Sequence, residues 1–398
     1  MTRVMSARLS CREGLAKRVD GPSAAVFGVR SRHELDRVFR LSTRGSDSRS
    51  PVEYARDCMT EPATTACDSA AEFLSELLQV GFDQRPSRTV VPIFRGVGDV
   101  DRFPLVPSAL REQNADLVSA LCTTADVPHG GEFGQRHSEL SILLRFYERA
   151  NRSGLASPGP QQSLTVGFDG DLFVDPDRSQ QLVLGVLPGV DINLEGRWLP
   201  PGLLELAALA QHYGLPTRLL DWSTDAATAA FFAAHSAANR LHAAAVAGRE
   251  GQPQFEQALT TSMGVWMLNV KTVMGKDCPI EIAYPPYAGN PNLCAQQGVL
   301  THWRSTSKID VETAVDREPL DDKIRKWNDS ASPEQPMVQI QRFTLPASQS
   351  FQLCKLLDHH GYHHGRLVPG YAGAAQAVEA YGRRRWTADL AKEWVAPE

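Results

Sequence analysis

The order of strand-like and helix-like segments constrains the fold of this chain more than any other feature. β-branched and alternating runs predict strands at residues 89–94, 264–270 and 338–345, and apolar stripes predict helices at 203–213 and 351–359. The two kinds of segment follow one another without a regular strand–helix–strand period. We therefore expect an α/β protein of the α+β type, built on one mixed sheet and not on a doubly wound parallel sheet.

Other segments add to this pattern. Residues 68–78 are predicted to form a helix, because Ser69 and Glu72 near its start have the spacing of a capping box. Residues 225–247 are predicted to form a long alanine-rich helix that ends at Gly248. Pro92 inside the first predicted strand indicates an edge strand or a bulge. The remaining predicted elements are helices at 140–147 and 372–381 and a short strand at 366–368.

Composition also divides the chain into regions. Residues 1–67 are rich in Arg, Ser, Asp and Gly and poor in apolar periodicity, so we expect a largely disordered extension. One folded domain is predicted over residues 68–380, interrupted by a loop-rich insertion at about 153–200 that includes a candidate strand at 181–186. Residues 381–398 are expected to form a tail.

Charge and cysteine content exclude several classes of protein. The net charge of −5 argues weakly against a general nucleic-acid binder, and seven cysteines without a CxxC pair argue against a zinc ribbon or a disulfide framework. No run of about 18 apolar residues is present, because the alanine-rich segment contains His235, Asn239, Arg240 and His242. We expect a cytoplasmic protein that does not contact a membrane.

Four sequence blocks, in this order, carry a resemblance to a known family. They are Pro92–Gly96 followed by Phe103–Arg111, then Ala210–Trp222 leading into Ala229–Ala233, then Asn290–Gly298, and finally Leu353–Gly361 running through Leu367–Pro369. The set resembles the FRG family, which takes its name from the tripeptide Phe94-Arg95-Gly96. The resemblance covers roughly residues 68–380, and it implies a bacterial or phage protein whose biochemistry is poorly defined.

The motif order is also similar, less closely, to that of ADP-ribosyltransferases. In those enzymes a first-strand Arg or His holds the ribose or phosphate of NAD, and Arg95 stands at the matching place here. Phe232 stands where such enzymes often carry Tyr or Ser, and Gln296, Gln297 and Gly298 stand near the late position of their catalytic glutamate. This likeness implies NAD as a substrate. The kind of genome in which FRG domains appear implies a toxin or phage-defence effector as the biological role.

The residues themselves indicate a polar pocket, and each has a structural alternative. Arg95 can present a rigid fork to a phosphate or can join strand to loop in a salt bridge, and Gly96 would let a ligand approach the backbone. His212 can be a general base or an interior hydrogen-bonding group. Arg218 and Asp221 can pair directly or flank one ligand, and Asp221 can instead cap the following helix.

The aromatic and amide groups complete this prediction. Trp222 or Phe232 would form an aromatic wall, and glutamine amides can read the edge of a base or cross-link a loop. The candidate catalytic residues are Arg95, His212 and Asp221. The candidate substrate-binding residues are Phe94, Gly96, Gln211, Tyr213, Thr217, Arg218, Trp222, Gln296 and Gln297.

Two further clusters are interpreted as ordinary surface features. Residues 359–364 include four histidines, at positions 359, 360, 363 and 364. Gly361 interrupts the helical spacing that a metal site would need, so no metal is expected. The basic trio Arg383–Arg385 lies near the end of the chain without a wider basic stripe. The hypothesis is therefore an NAD-cleaving or ADP-ribosyl-transferring protein. The alternative is a non-catalytic module that senses a nucleotide or a nucleic-acid end.

Overall fold

A computed structural model describes residues 62–83, 92–120, 131–156, 198–199, 203–247, 253–270, 278–288, 290–304, 313–330 and 337–395. All of these residues belong to one unit, Arg56–Glu398. The candidate strand at 181–186, most of the predicted insertion and residues 1–61 lie outside the described residues.

The described strands form one mixed sheet, as the sequence predicted, and it has seven strands, of which the sequence patterns indicated β2, β4 and β7. Its order is β1-β7-β4-β2-β3-β6-β5; β1 pairs with β7 in parallel, and every other pairing is antiparallel. The strands are β1 Ala63–Ala66, β2 Ile93–Val97, β3 Leu220–Ser223, β4 Ser262–Leu268, β5 Ile280–Ala283, β6 Gly298–Trp303 and β7 Ile340–Pro346.

Helices cover the sheet and flank it. They are α1 Ala70–Asp83, α2 Ala115–Ala120, α3 Gly131–Arg152, α4 Leu204–His212, α5 Ala226–Ala247, α6 Pro253–Thr260, α7 Pro291–Ala295, α8 Leu320–Ser330, α9 Ser350–His359, α10 His364–Leu367 and α11 Tyr371–Val395. None of the helices among the described residues is long and apolar enough to cross a membrane.

The alanine-rich helix α5 lies at the centre of one apolar layer. Its alanines pack with Phe94 of β2 and Phe343 of β7, and with the apolar faces of α1 and α9. A second layer on the other face of the sheet contains Ile93, Leu220 and Trp266. Small side chains let α5 approach the sheet closely, because they place little volume between helix and strand backbones.

Gly96 shows how close that approach is. A Cβ atom at Gly96 would lie 1.9 Å from the carbonyl oxygen of Ala229 in α5. The expected reason for this glycine was the approach of a ligand to the backbone. The structure instead shows the approach of a helix, although Gly96 also borders a cavity described below.

The predicted start of α1 is confirmed. The amide of Glu72 donates to the Ser69 hydroxyl at 3.2 Å, and the Glu72 carboxylate accepts from the amide of Asp68 at 3.1 Å. These contacts provide partners for amides that the first helical turn leaves free. Order begins earlier than residue 68, however, because β1 adds a parallel edge strand beside β7.

Three local expectations were wrong. Pro92 precedes β2, which is the central strand of the sheet, so it marks neither an edge nor a bulge. Residues 366–368 lie in and just after the short helix α10 and do not form a strand. The expected tail is largely helical, because α11 runs on to Val395.

Candidate functional site

The two central strands β2 and β3 diverge, and a cavity lies where they separate. They pair at one position, Phe94 with Ser223, whereas β2 pairs with β4 along its whole length. The cavity has a volume of about 430 Å³. Its lining residues are Phe94, Arg95, Gly96, Gln211, His212, Asp221, Trp222, Ser223, Thr228, Ala229, Phe232, Ser236 and Gln296.

Arg95 brings a largely buried positive charge to this cavity. Its side chain is 16% exposed; Nη1 donates to the backbone oxygen of Asp221 at 2.7 Å and lies 3.7 Å from Asp221 Oδ2. Burial lowers the pKa of Arg95, and the Asp221 carboxylate opposes that shift. A guanidinium remains charged in proteins, so Arg95 offers further N–H donors to an anion.

Asp221 is the more exposed member of the pair that it forms with Arg95. Its side chain is 61% exposed, and Oδ1 accepts a hydrogen bond from Gln211 Nε2. The buried Thr217 hydroxyl donates to Gln211 Oε1, which fixes the orientation of that amide. The chain Thr217–Gln211–Asp221 therefore holds one carboxylate at the mouth of the cavity.

The alternative in which Asp221 caps the next helix was wrong. Asp225 performs that role: its Oδ1 accepts from the amide of Ala227 at 3.1 Å, and its Oδ2 accepts from the Thr228 hydroxyl at 2.8 Å. Asp221 lies within β3, before the turn into α5. Its carboxylate is therefore free of any capping role.

His212 ends α4 beside the cavity, and its ring contacts Asn292. The side-chain amide of Asn292 contacts Nε2 of the ring, and which of the two groups donates depends on the histidine tautomer. Burial lowers the pKa of His212, against an opposing effect of Asp221. His212 is thus neutral near pH 7. Tyr213 packs edge-on against it at 5.4 Å but is 66% exposed and does not line the cavity.

Arg218 belongs to a different environment from Arg95. Its Nε donates to the two oxygens of Glu139 at 2.8 and 3.0 Å, and its Nη2 donates to Glu132 Oε2 at 3.1 Å. Burial alone would lower the pKa of Arg218, but Glu139 and Glu132 raise it above its ordinary value. Arg218 therefore neither pairs with Asp221 nor lines the cavity.

The two aromatic candidates differ in accessibility. Trp222 is 3% exposed, and its Nε1 donates to the Thr301 hydroxyl at 2.8 Å, so it is mainly a core residue that borders the cavity. Phe232 of α5 is 37% exposed and lines the cavity. Of the two expected walls, Phe232 is therefore the ring that a ligand can reach.

The adjacent glutamines also separate. Gln296 lines the cavity. Its side-chain Nε2 donates to the backbone oxygen of Leu367 at 3.0 Å, and its backbone oxygen accepts a hydrogen bond from Ser223 Oγ at 2.7 Å. Gln297 has a φ of 48° and accepts from Thr224, outside the lining. Gln296 thus connects the cavity to α10, and Gln297 shapes the turn before β6.

Sequence reasoning missed several contributors. Thr228 and Ser236 line the cavity together with Phe232, at the i, i+4 spacing of one helix face. Arg111 lies in one of the quoted sequence blocks but was not assigned to the site. Burial lowers the pKa of Arg111, the positive charge of Arg95 lowers it further, and Asp221 opposes both. Arg111 is therefore a second cation near Asp221.

The described residues provide no group of three or more His, Cys, Asp and Glu side chains able to hold a metal ion. His359 ends α9, and His364 begins α10 after the turn at Gly361. His364 instead packs edge-on against the ring of His235 in α5, at 4.0 Å.

The fold and the cavity define a mixed-sheet α+β protein with a charged cavity between its central strands. A family model described as the FRG domain matches residues 193–241, a range that includes α4, β3 and most of α5. The chain therefore contains an FRG domain match that includes the block Ala210–Trp222, and the other three sequence blocks lie outside the matched residues. No curated protein and no solved structure matches the chain.

Proposed function

We propose that the cavity between β2 and β3 binds an anionic nucleotide and cleaves its glycosidic bond, with NAD as the leading substrate. The observation that carries the proposal is the pair formed by Arg95 and Asp221. A largely buried guanidinium faces an exposed carboxylate across the opening of a cavity of about 430 Å³. This volume lies within the usual range for small-molecule sites.

Positive charge would recognise the phosphate of the nucleotide, and an aromatic ring with space beside it would recognise the base. Arg95 gives the cavity a positive charge suited to a phosphate group, which a guanidinium binds through paired N–H donors, and Arg111 outside the lining adds to the positive potential. Phe232 offers an accessible ring for stacking against a base. The small side chains of Ser223, Ala229 and Ser236 leave room beside that ring.

The proposed reaction breaks the bond between nicotinamide and the ribose. The bonding electron pair leaves with nicotinamide, and the ribose passes through an oxocarbenium-like state, as in glycoside cleavage. Asp221 would accept a hydrogen bond from a ribose hydroxyl and stabilise the developing positive charge. Water or an acceptor macromolecule would then attack the ribose carbon and lose a proton to solvent.

His212 takes a positioning role in this scheme. Because Asn292 already contacts its Nε2, that ring nitrogen is not the free basic nitrogen expected of a general base. The toxin or phage-defence role belongs to the same proposal. An effector of this kind would act by depleting NAD or by modifying a target.

A non-catalytic nucleotide sensor is the second candidate, and one observation favours it. Asp221 is the only carboxylate among the described residues that line the cavity, and Gln211 and Arg95 already engage it. A sensor would use the same cation and the same wall without cleaving the ligand. If the ligand were a nucleic-acid end, its affinity would fall steeply with salt.

The test is an incubation of the full chain with NAD, following the release of nicotinamide. We expect release by the wild type and a loss of about 100-fold or more in Arg95→Ala and Asp221→Asn, the usual scale for removing one stabilising group. The matched controls are Arg325→Ala and Asp322→Asn, an exposed ion pair on α8 that should leave the rate unchanged. Circular dichroism would confirm that each variant is folded.

The outcomes separate the candidates. NAD binding that requires Arg95, without nicotinamide release, would favour the sensor. Release that Arg95→Ala leaves intact would remove the cavity from the reaction. Absence of both binding and release would overturn the NAD proposal, and single-stranded DNA and RNA would be the next probes, titrated at two salt concentrations.

A further inference from the structure

The two carboxylate oxygens of Asp221 face different neighbours. The backbone of Asp221 is fixed in β3 by its pairing with β6, and its backbone oxygen accepts from Arg95 Nη1 at 2.7 Å. Oδ1 accepts a hydrogen bond from Gln211 Nε2, whereas Oδ2 lies 3.7 Å from Arg95 Nη1, beyond normal hydrogen-bonding distance. Because Asp221 lines the cavity, Oδ2 is the oxygen that can accept a hydrogen bond from a ligand.

The chemistry of the groups that hold Oδ1 gives each bond one direction. A carboxylate can only accept, so Gln211 must turn Nε2 towards Asp221 and Oε1 towards Thr217. The Thr217 hydroxyl must then donate to Oε1, and its oxygen accepts from the amide of Leu219 at 3.3 Å. The amide of Gln211 therefore cannot turn over without losing a bond at each end.

Thr217 is itself anchored by the first sequence block. It is fully buried, and it does not line the cavity. Ser108 Oγ accepts from the Thr217 amide at 3.0 Å and donates to the Thr217 backbone oxygen at 3.2 Å, and the amide of Ala109 donates to the same oxygen at 3.0 Å. These bonds join Thr217 to a segment 109 residues earlier, so the place of its hydroxyl is set by the fold and needs no ligand.

A fixed acceptor beside a largely buried cation matches one ligand chemistry. Arg95 suits an anionic group, and Oδ2 of Asp221 suits a hydroxyl that donates. A ribonucleotide carries both a phosphate and sugar hydroxyls. We propose that Gln211 and Thr217 are positioning residues that hold Asp221 as a hydroxyl acceptor, so that the cavity selects nucleotides by their ribose hydroxyls. This inference rests on the proposed nucleotide site but not on cleavage of the nucleotide.

The test compares two ligands that differ only in the sugar. Titration calorimetry measures binding of adenosine monophosphate, and of its dideoxy analogue that lacks both ribose hydroxyls, to the full chain. We expect the wild type to bind adenosine monophosphate at least about tenfold more tightly, the scale of one hydrogen bond to a charged group. Asp221→Ala should remove this preference, because it removes the acceptor.

Two variants test the positioning role. Thr217→Val keeps the branched shape of the side chain but removes the hydroxyl, and Gln211→Met removes the amide. Each should lower the preference about threefold to tenfold and leave the affinity for the dideoxy analogue unchanged, whereas a merely structural defect would weaken both ligands alike. Thr217→Ser should restore the preference. In the Gln211→Met background, Thr217→Val should have no further effect, because Thr217 acts through Gln211.

Thr387 of α11 provides the matched control, because it is a buried threonine that does not line the cavity. Thr387→Val should keep the preference of the wild type. Equal affinities of the wild type for the two ligands would overturn this inference and leave the nucleotide site standing, and absence of binding would remove both. A preference that survives Thr217→Val and Gln211→Met would overturn the positioning role. A preference without nicotinamide release from NAD would support this inference and refute only the proposed cleavage.

Discussion

The surroundings of Arg95 and Arg218 show how differently one fold can use two buried arginines. Arg218 is surrounded by the carboxylates of Glu132 and Glu139, which are 5% and 1% exposed as residues. Arg95 has one carboxylate neighbour, Asp221, whose side chain is 61% exposed. In the first arrangement every charge has a close partner, whereas in the second Arg95 faces one exposed and more distant carboxylate at the edge of a cavity.

This difference separates a stabilising role from a binding role. Glu132 and Glu139 surround the guanidinium of Arg218, so this group has little capacity left for a ligand. Arg95 donates to one backbone oxygen and faces Asp221 at 3.7 Å, beyond normal hydrogen-bonding distance. A ligand anion can therefore approach Arg95 without breaking a close ion pair.

The largest expected effect would be on stability, at Arg218. Arg218→Met removes the positive charge that Arg218 places beside the buried carboxylates of Glu132 and Glu139. The substitution should therefore lower the free energy of unfolding by about 3–5 kcal/mol. Arg95→Met leaves Asp221 in contact with solvent and should cost about 1 kcal/mol, the usual value of a lost hydrogen bond. Urea denaturation followed by circular dichroism measures both values.

Arg325→Met is the control for this pair, because Arg325 is exposed on α8 and should leave the unfolding midpoint unchanged. If Arg95→Met and Arg218→Met lowered the free energy of unfolding equally, the two arginines would not differ in their structural roles. A larger loss in Arg95→Met would mean that the site at β2 is mainly structural.

A smaller effect is expected at Gly96, beside Arg95. A methyl group there would meet the backbone oxygen of Ala229 at 1.9 Å, so Gly96→Ala should lower the free energy of unfolding by about 1–3 kcal/mol. Gly382→Ala is the matched control, because nothing lies within 4 Å of a Cβ at that helical position. If Gly96→Ala left stability intact and removed only ligand binding, the close approach of a ligand would explain this glycine after all.

Sequence patterns predicted the parts of the fold that depend on local chemistry. The capping box at Ser69 and Glu72, the end of α4 before Gly214 and the long α5 follow from residues close together in the chain. Residues of the block Ala210–Trp222 do meet at one cavity, because a helix end and a strand are joined by a short turn.

The partners of Arg218 could not be predicted in this way. Glu139 and Glu132 lie 79 and 86 residues earlier in the chain, on α3, and no local pattern records so distant a pairing. The role of Gly96 was missed for the same reason, because its clash partner is on α5. Local spacing left open whether Arg218 and Asp221 pair or flank one ligand, whereas the tertiary fold places each of them beside a different charge.

The smallest expected effect is the pH dependence that His212 adds to the region of Arg95. Burial lowers the pKa of His212 below its ordinary value of about 6.5, with Asp221 opposing. Just below pH 6.5 the unfolded chain therefore binds more protons than the folded chain, and stability falls as the pH falls. His212→Gln should make the free energy of unfolding decrease less between pH 7 and pH 5 than it does in the wild type.

The control is His359→Gln, the same substitution at an exposed histidine that does not line the cavity. If His212→Gln retained the full wild-type pH dependence, burial would not be what lowers the pKa of His212. The neutral state of His212 near pH 7 would then lose its physical basis, and the positioning role proposed for it would fail.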